Sequence, residues 1–383
     1  MPSPTDLAPD LASGELRAAV VEALSACAPG GTAQSRAVWS QLGRAGVLAA
    51  VAGREGPRPG VDLVLLRALL TTLDAHAPLG VVLSTCVQVA TVLPLLADLA
   101  DDDPDGLAAE VRDRALRGDV TVALAVTDAA AAGSDLLDSG TSVTPRADDV
   151  LLAGGKRWIT NAVSCDYALT LVRHRPARHF TSFRWALVPA GAPGVVIAPA
   201  APDLFAAADV GHVDLHDVRL DREHLTGRAG RALPDFARHV GVERLASGMW
   251  AAALCRRVLT DLYAWLTAPP PRGAARWGRN AVRERFARCL VEVERLDALL
   301  TVVMGRGVPV RAVDAMVVKV AAGQAVEMVL DEAVHLRGAD AFRDGGEARL
   351  RAQAAMFSVA GGASGAMLAG VADHARDLLE ARP

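Results

Sequence analysis

The hydrophobic period of this chain changes twice, and no other feature constrains its fold as tightly. From Asp6 to about Arg117 apolar residues recur three and four apart. Leu16, Val20, Val21 and Leu24 do so, as do Val38, Leu42 and Val47, and the run Leu63, Leu66, Leu69, Leu70, Leu73. That is the spacing of one helix face. Pro and Gly break the pattern at Pro29-Gly30-Gly31, from Gly53 to Gly60 and from Asp101 to Pro104. Val81 to Leu99 is apolar on nearly all sides, which predicts a buried helix. From Asp119 the period falls to two: Val120, Val122, Leu124 and Val126 alternate with smaller residues, as in a half-buried strand. Further strands are predicted at Val150 to Ala153, Tyr167 to Val172, Phe183 to Pro189, Gly194 to Ala198 and Gly211 to Leu220.

After about Leu233 helical spacing returns. One helix runs through Val242, Leu245, Met249, Leu259 and Leu266 and stops at Pro269-Pro270-Pro271. A second starts near Ala274, a third runs from Pro309 to Gly338, and a fourth from about Gly365 to Leu379. Helices this long form a bundle. The expected fold is α+β: an N-terminal all-helical domain (1–118), a middle β-domain (119–226) and a C-terminal four-helix bundle (227–383). A net charge of −4 argues against broad attraction to nucleic acid or anionic lipid. Five scattered Cys without CxxC spacing argue against a metal site and suit a reducing cytoplasm. The first residues lack a signal-peptide pattern, and charges interrupt the Ala-rich stretches, so neither secretion nor a membrane span is expected.

Two segments carry chemistry. Val126-Thr127-Asp128-Ala129-Ala130-Ala131-Ala132-Gly133-Ser134-Asp135 precedes Gly154-Gly155-Lys156-Arg157-Trp158-Ile159-Thr160-Asn161 within the β-rich region. An aromatic ring beside a Thr hydroxyl can pack on an isoalloxazine and hydrogen-bond its polar edge. Together the segments resemble the flavin-contacting loops of the acyl-CoA dehydrogenase family, T-E-P-x-A-G-S-D and G-x-K-x-W-I-T-N. Ala208 to Leu220 is similar to that family's A-D-V-x-F-x-D-V-R-V segment, which closes its β-domain. Asp331-Glu332-Ala333-Val334-His335-Leu336-Arg337-Gly338-Ala339 is similar to its D-E-A-V-Q-L-x-G-G segment. The resemblance implies FAD as cofactor. It assigns Thr127, Ser134, Trp158, Ile159 and Thr160 to the flavin of one subunit, and His335 and Gly338 to that of its neighbour. It also implies a homodimer or homotetramer, or a mixed oligomer.

The resemblance fails at two places. The usual base is a Glu in I-Y-E-G-T; here the stretch is Val359-Ala360-Gly361-Gly362-Ala363-Ser364, with Gly361 at the Glu. After Tyr263, Thr267 and prolines replace an Arg and Phe-Gly that reach the FAD diphosphate. A second family position for the base lies on the first bundle helix, in a Glu-Arg pair, and here it is Glu243-Arg244. The resemblance therefore implies Glu243 as catalytic base, with Ser134 and Arg244 near the substrate. The activity implied is α,β-oxidation of an acyl thioester carried by CoA or acyl carrier protein, as in secondary-metabolite relatives, with the electron acceptor undefined. Alternatives are a flavin monooxygenase on the same fold, which Gly361 favours, and a non-catalytic subunit of a mixed complex.

Overall fold

The computed structural model describes residues 12–27, 34–53, 60–129, 135–200, 205–269 and 275–380. The chain divides into two compact units, Met1–Glu243 and Arg244–Pro383.

Among the described residues the first unit opens with seven helical segments: α1 (Ser13–Ser25), α2 (Gln34–Arg44), α3 (Val47–Val51), α4 (Leu63–His76), α5 (Leu79–Val87), α6 (Leu93–Asp102) and α7 (Leu107–Leu116). The apolar stripes read from the sequence are their buried faces; Leu16, Val20, Val38, Leu42, Leu66, Leu69 and Leu73 are fully buried. Asp62 caps α4, its carboxylate accepting from the backbone N–H groups of Val64 and Leu65 at 2.9 Å. α5 and α6 are one continuous helix, Leu79–Asp102. It is long and apolar enough to cross a membrane, but it lies buried for most of its length. Its middle, Gln88–Val92, is wound as a π-helix.

A seven-stranded sheet follows: β1 (Val122–Ala125), β2 (Ser142–Pro145), β3 (Asp149–Ile159), β4 (Tyr167–Arg173), β5 (Phe183–Pro189), β6 (Val195–Pro199) and β7 (Gly211–Asp221), in the order β1-β4-β2-β3-β7-β6, with β5 on β4. β1 and β2 run parallel to β4, and the other pairs are antiparallel. β2 has no counterpart among the strands read from the sequence, because Val143 is the sole buried residue in Ser-Val-Thr-Pro. The core is apolar and mostly β-branched or small, with Ala123, Leu152, Val172, Val188 and Val213 buried. Arg36 of α2 makes a two-pronged contact with Asp166, at 2.8 and 3.0 Å, and so joins the helices to the sheet.

α8 (Ala232–Thr267) is 36 residues long and carries the chain from the first unit into the second. Its first turns are fastened to α6. Asp98 Oδ2 lies 2.7 Å from both Arg238 and His239 Nε2. In the second unit α9 (Asn280–Gly305) and α10 (Ala312–Arg337) complete three long helices, followed by α11 (Glu347–Ala354), α12 (Ser364–Asp373) and α13 (Ala375–Glu380). The fourth helix of the expected bundle is therefore two short ones meeting at His374. α9 and α12 both pack on α10. Gly248 lets α8 approach closely: a Cβ there would meet Val318 Cγ1 at 2.5 Å and Leu300 Cδ2 at 3.0 Å.

The Asp98 latch carries a pH signature. Burial pushes its carboxyl up, but the His239 hydrogen bond and the charges of Arg238 and Arg231 prevail and hold it below its ordinary value. An acid with a depressed folded-state pKa contributes stability above its unfolded pKa and loses it as pH falls through the folded value. Thermal denaturation across pH 7 to 3 should show stability falling below about pH 4. Asp98→Asn should flatten that fall, and an unchanged slope would contradict the assignment.

Candidate functional site

The two sequence segments meet in space. Beyond β1 the chain lies along β3 through an Asp128–Lys156 bridge. The Ala129 N–H donates to the Gly155 carbonyl (2.9 Å) and the Arg157 N–H to the Thr127 carbonyl (3.0 Å). Gly154 is sterically required, and Gly155 lies close to a side-chain end. Gly154 has φ +134°, and a Cβ on it would sit 2.5 Å from Thr141 Cα; one on Gly155 would sit 2.6 Å from Asp214 Oδ1.

Beneath this crossing lies an ion pair shut off from water, with side-chain exposures of 0% for Lys156 and 2% for Asp128. Lys156 Nζ donates to Asp128 Oδ2 (3.2 Å), the Val126 carbonyl (3.3 Å) and Ser139 Oγ (3.3 Å). Asp128 also accepts from Ser139 Oγ and Thr141 Oγ1, both at 2.6 Å, and from the N–H groups of Gly140 and Thr141, both at 3.1 Å. Burial pushes the Lys156 ammonium down to about 8, against the pull of Asp128. Removing one partner of a buried pair strands the other. Lys156→Met should therefore lower unfolding free energy by about 3–5 kcal/mol in urea titration; a loss below about 1 kcal/mol would contradict the network's role.

Just beyond this pair, the β3–β7 register shifts between Lys156 and Ile159. Trp158 sits at this bulge with φ +58°, a left-handed backbone that costs a bulky residue about 1–3 kcal/mol. Its N–H donates to His212 Nδ1 at 3.2 Å, and the two rings meet edge-on with centroids 5.3 Å apart. The indole is 64% exposed, between buried Lys156 and buried Ile159. A large apolar ring held rigidly in solvent is a surface for another flat ring. Thr127 and Thr160 are half-buried; Thr160 follows Trp158 by two residues, and Thr127 is tied by its carbonyl to the neighbouring Arg157 N–H. The Ile159 side chain belongs to the sheet core, which leaves its main chain for any ligand. Asn161, also left-handed, donates to the Ser84 carbonyl at 3.3 Å. Ser134 lies outside the described residues.

Glu243 is half-buried near the end of the first unit. Its Oε2 accepts a 2.6 Å hydrogen bond from the Thr91 hydroxyl, and Thr91 is fully buried. Arg244 belongs to the second unit, where its Nε donates to the Gly361 carbonyl at 3.1 Å. Gly361 and Gly362 both have positive φ, +70° and +111°. The loop that lacks a carboxylate is thus a glycine turn held by a guanidinium.

A cleft of about 390 Å³ opens in the second unit, within the usual size range of ligand pockets. Trp265, Arg276, Arg279, Arg337 and Gly338 line it. The Arg276 guanidinium lies 3.9 Å from the Trp265 ring centroid and that of Arg337 lies 5.0 Å from it. Arg337 is nearly buried and paired to Glu347 at 2.7 Å. Gly338, with φ +63°, ends α10 at the cleft. His335 does not line the cleft; it is exposed, with Nδ1 2.8 Å from the Asp331 carbonyl of its own helix. Sequence reading singled out His335 and passed over Arg337 and Trp265. The available signal was a cation in the last turn of one helix and an aromatic in the last turn of another. His212 and Thr91 were likewise missed as partners, since neither belongs to a local pattern with the residue it holds.

Residues 123–218 match the family description "Acyl-CoA dehydrogenase, middle domain", and residues 235–375 match "Acyl-CoA dehydrogenase, C-terminal domain". Among solved structures, butyryl-CoA dehydrogenase from Megasphaera elsdenii superimposes with TM-score 0.84 at 16% identity, covering 96% of this chain and 99% of that one. The prolyl acyl carrier protein oxidase AnaB gives 0.83 at 17%, covering 95% and 98%. PigA with FAD and proline gives 0.81 at 16%, covering 96% and 98%. At such identities these likenesses establish the fold.

Proposed function

The chain belongs to the acyl-CoA dehydrogenase family, and from that premise we propose that it is an FAD-dependent oxidoreductase that desaturates an acyl thioester between Cα and Cβ. The observation that carries this reading is the Glu243 carboxylate. It is half-buried, one oxygen is held by Thr91, and the other has no hydrogen-bond partner among the described residues. With Gly361 unable to take a proton, Glu243 is the group that removes the substrate's α-proton. Bound FAD supplies the two-electron acceptor for the hydride that leaves Cβ.

The residues fit such a cofactor. Trp158 offers a rigid face for the isoalloxazine. The Trp265 cleft offers an indole and three guanidiniums, a donor set suited to a diphosphate and an adenine. Arg276, Arg279 and Arg337 would supply the charge that Thr267 cannot. In this reading the chain is a homodimer or homotetramer, and each cleft serves the cofactor of a neighbouring copy. The carrier is CoA or an acyl carrier protein; the likeness to AnaB, which acts on a prolyl acyl carrier protein, supports the second.

Saturating FAD should raise the melting temperature and shift the flavin absorbance, since a ligand bound only by the folded state stabilises it. Arg276→Ala should weaken FAD by about tenfold or more, as expected for losing one charge-assisted contact. Unchanged affinity would remove the cleft from the cofactor site. Glu243→Gln keeps the shape of the side chain and removes the base. It should retain FAD and slow anaerobic flavin reduction by thioester about 10²–10⁴-fold. Undiminished reduction would place the base elsewhere.

A further inference from the structure

Serine and threonine in helices ordinarily close their hydroxyls onto the carbonyl four residues back. Thr72, Thr260, Thr267 and Thr301 all do so, each at 2.8 Å. Thr91 departs from this habit. Its hydroxyl leaves its own helix and donates to Glu243 Oε2 at 2.6 Å. Thr91 lies in the π-wound stretch Gln88–Val92, where the backbone ladder opens from four residues to five and the side-chain directions rotate. The same stretch sends Gln88 to the backbone N–H of Val122 at 3.2 Å. Both residues are fully buried in a mostly apolar helix, a placement that costs free energy for any polar atom left unbonded. Seven residues beyond Thr91, Asp98 grips His239, which stands four residues before Glu243 on α8. One helix thus holds the same side of α8 at two points.

We propose that Thr91 is a positioning residue for the Glu243 carboxylate, acting on the substrate through it. The terminal torsion of a glutamate is broad. A hydroxyl that fixes Oε2 fixes the plane of the group and leaves Oε1 to receive the α-proton. The inference rests on the reading of Glu243 as base.

The test uses FAD-loaded full-length protein, reduced anaerobically by butyryl-CoA, isovaleryl-CoA and S-prolyl-pantetheine, with the fastest probe kept for the variants. Thr91→Val should slow reduction about 10- to 100-fold, the scale of a lost hydrogen bond to a charged group. KM, the flavin spectrum and the melting temperature should change little. Thr91→Ser, which keeps the hydroxyl, should recover most of the rate. Thr91→Val added to Glu243→Gln should cost nothing further, because residues that act as a unit are not additive. Thr91→Val reducing at the wild-type rate, Thr91→Ser failing to recover, or multiplying losses in the double variant would each overturn the inference while leaving Glu243 as base. A Glu243→Gln variant as fast as wild type, or wild type that no probe reduces, would overturn the underlying reading and this inference with it.

Discussion

The Lys156–Asp128 pair is the interaction on which the surface around Trp158 depends. Two charges with almost no water contact persist only if every donor and acceptor around them is in place. That condition draws together the loop after β1, the turn before β2 and the end of β3. Ser139, Gly140 and Thr141 arrive as donors to Asp128, and Val126 as an acceptor for Lys156. Gly154 is a glycine because its φ is positive and a Cβ there would meet the Thr141 backbone. With the crossing fixed, the bulge one residue later can hold Trp158 in a costly backbone conformation and an exposed position. The strain is offset by the buried network behind it and by the His212 contact beside it.

A second constraint acts from the helical side. The Leu79–Asp102 helix is mostly apolar and mostly buried, and a polar group inside it costs free energy unless it is bonded; Gln88 Oε1 and Thr91 Oγ1 are bonded, whereas Thr85 Oγ1 and Gln88 Nε2 have no hydrogen-bond partner among the described residues. The π turn lets Gln88 serve β1 and Thr91 serve α8. The segment that is hardest to leave in water thereby becomes the one that orders the carboxylate at Glu243.

Much of this was legible in the sequence, for reasons that can be named. The change of period from helical spacing to two and back marks the order helices, sheet, helices, because burial of one face is what both periods encode. The G-G-K-R-W-I-T-N run stood out in the sequence because it resembles a flavin-contacting loop and sets an aromatic ring beside a Thr hydroxyl; the buried Lys156–Asp128 pair beneath it was not legible, since 28 positions separate the two. β2 was not legible, since a four-residue strand with one buried residue carries no period. The break at His374 was hidden because apolar spacing continues across it. The contacts Thr91–Glu243 and Trp158–His212 join residues 152 and 54 positions apart, and no local rule ties such pairs. Arg337 and Trp265 read as ordinary helix-end residues until the fold sets them on one cleft.

The central claim is that Glu243 acts as a base toward the α-carbon of an acyl thioester. The most direct measurement is deuterium incorporation at Cα of butyryl-CoA or S-prolyl-pantetheine recovered from the FAD-loaded protein in D₂O, read by mass spectrometry under anaerobic conditions. This reports proton removal apart from completed oxidation. The account predicts that wild type washes deuterium into Cα of at least one probe and that Glu243→Gln does not. Equal incorporation by both proteins, or none by wild type, would contradict it.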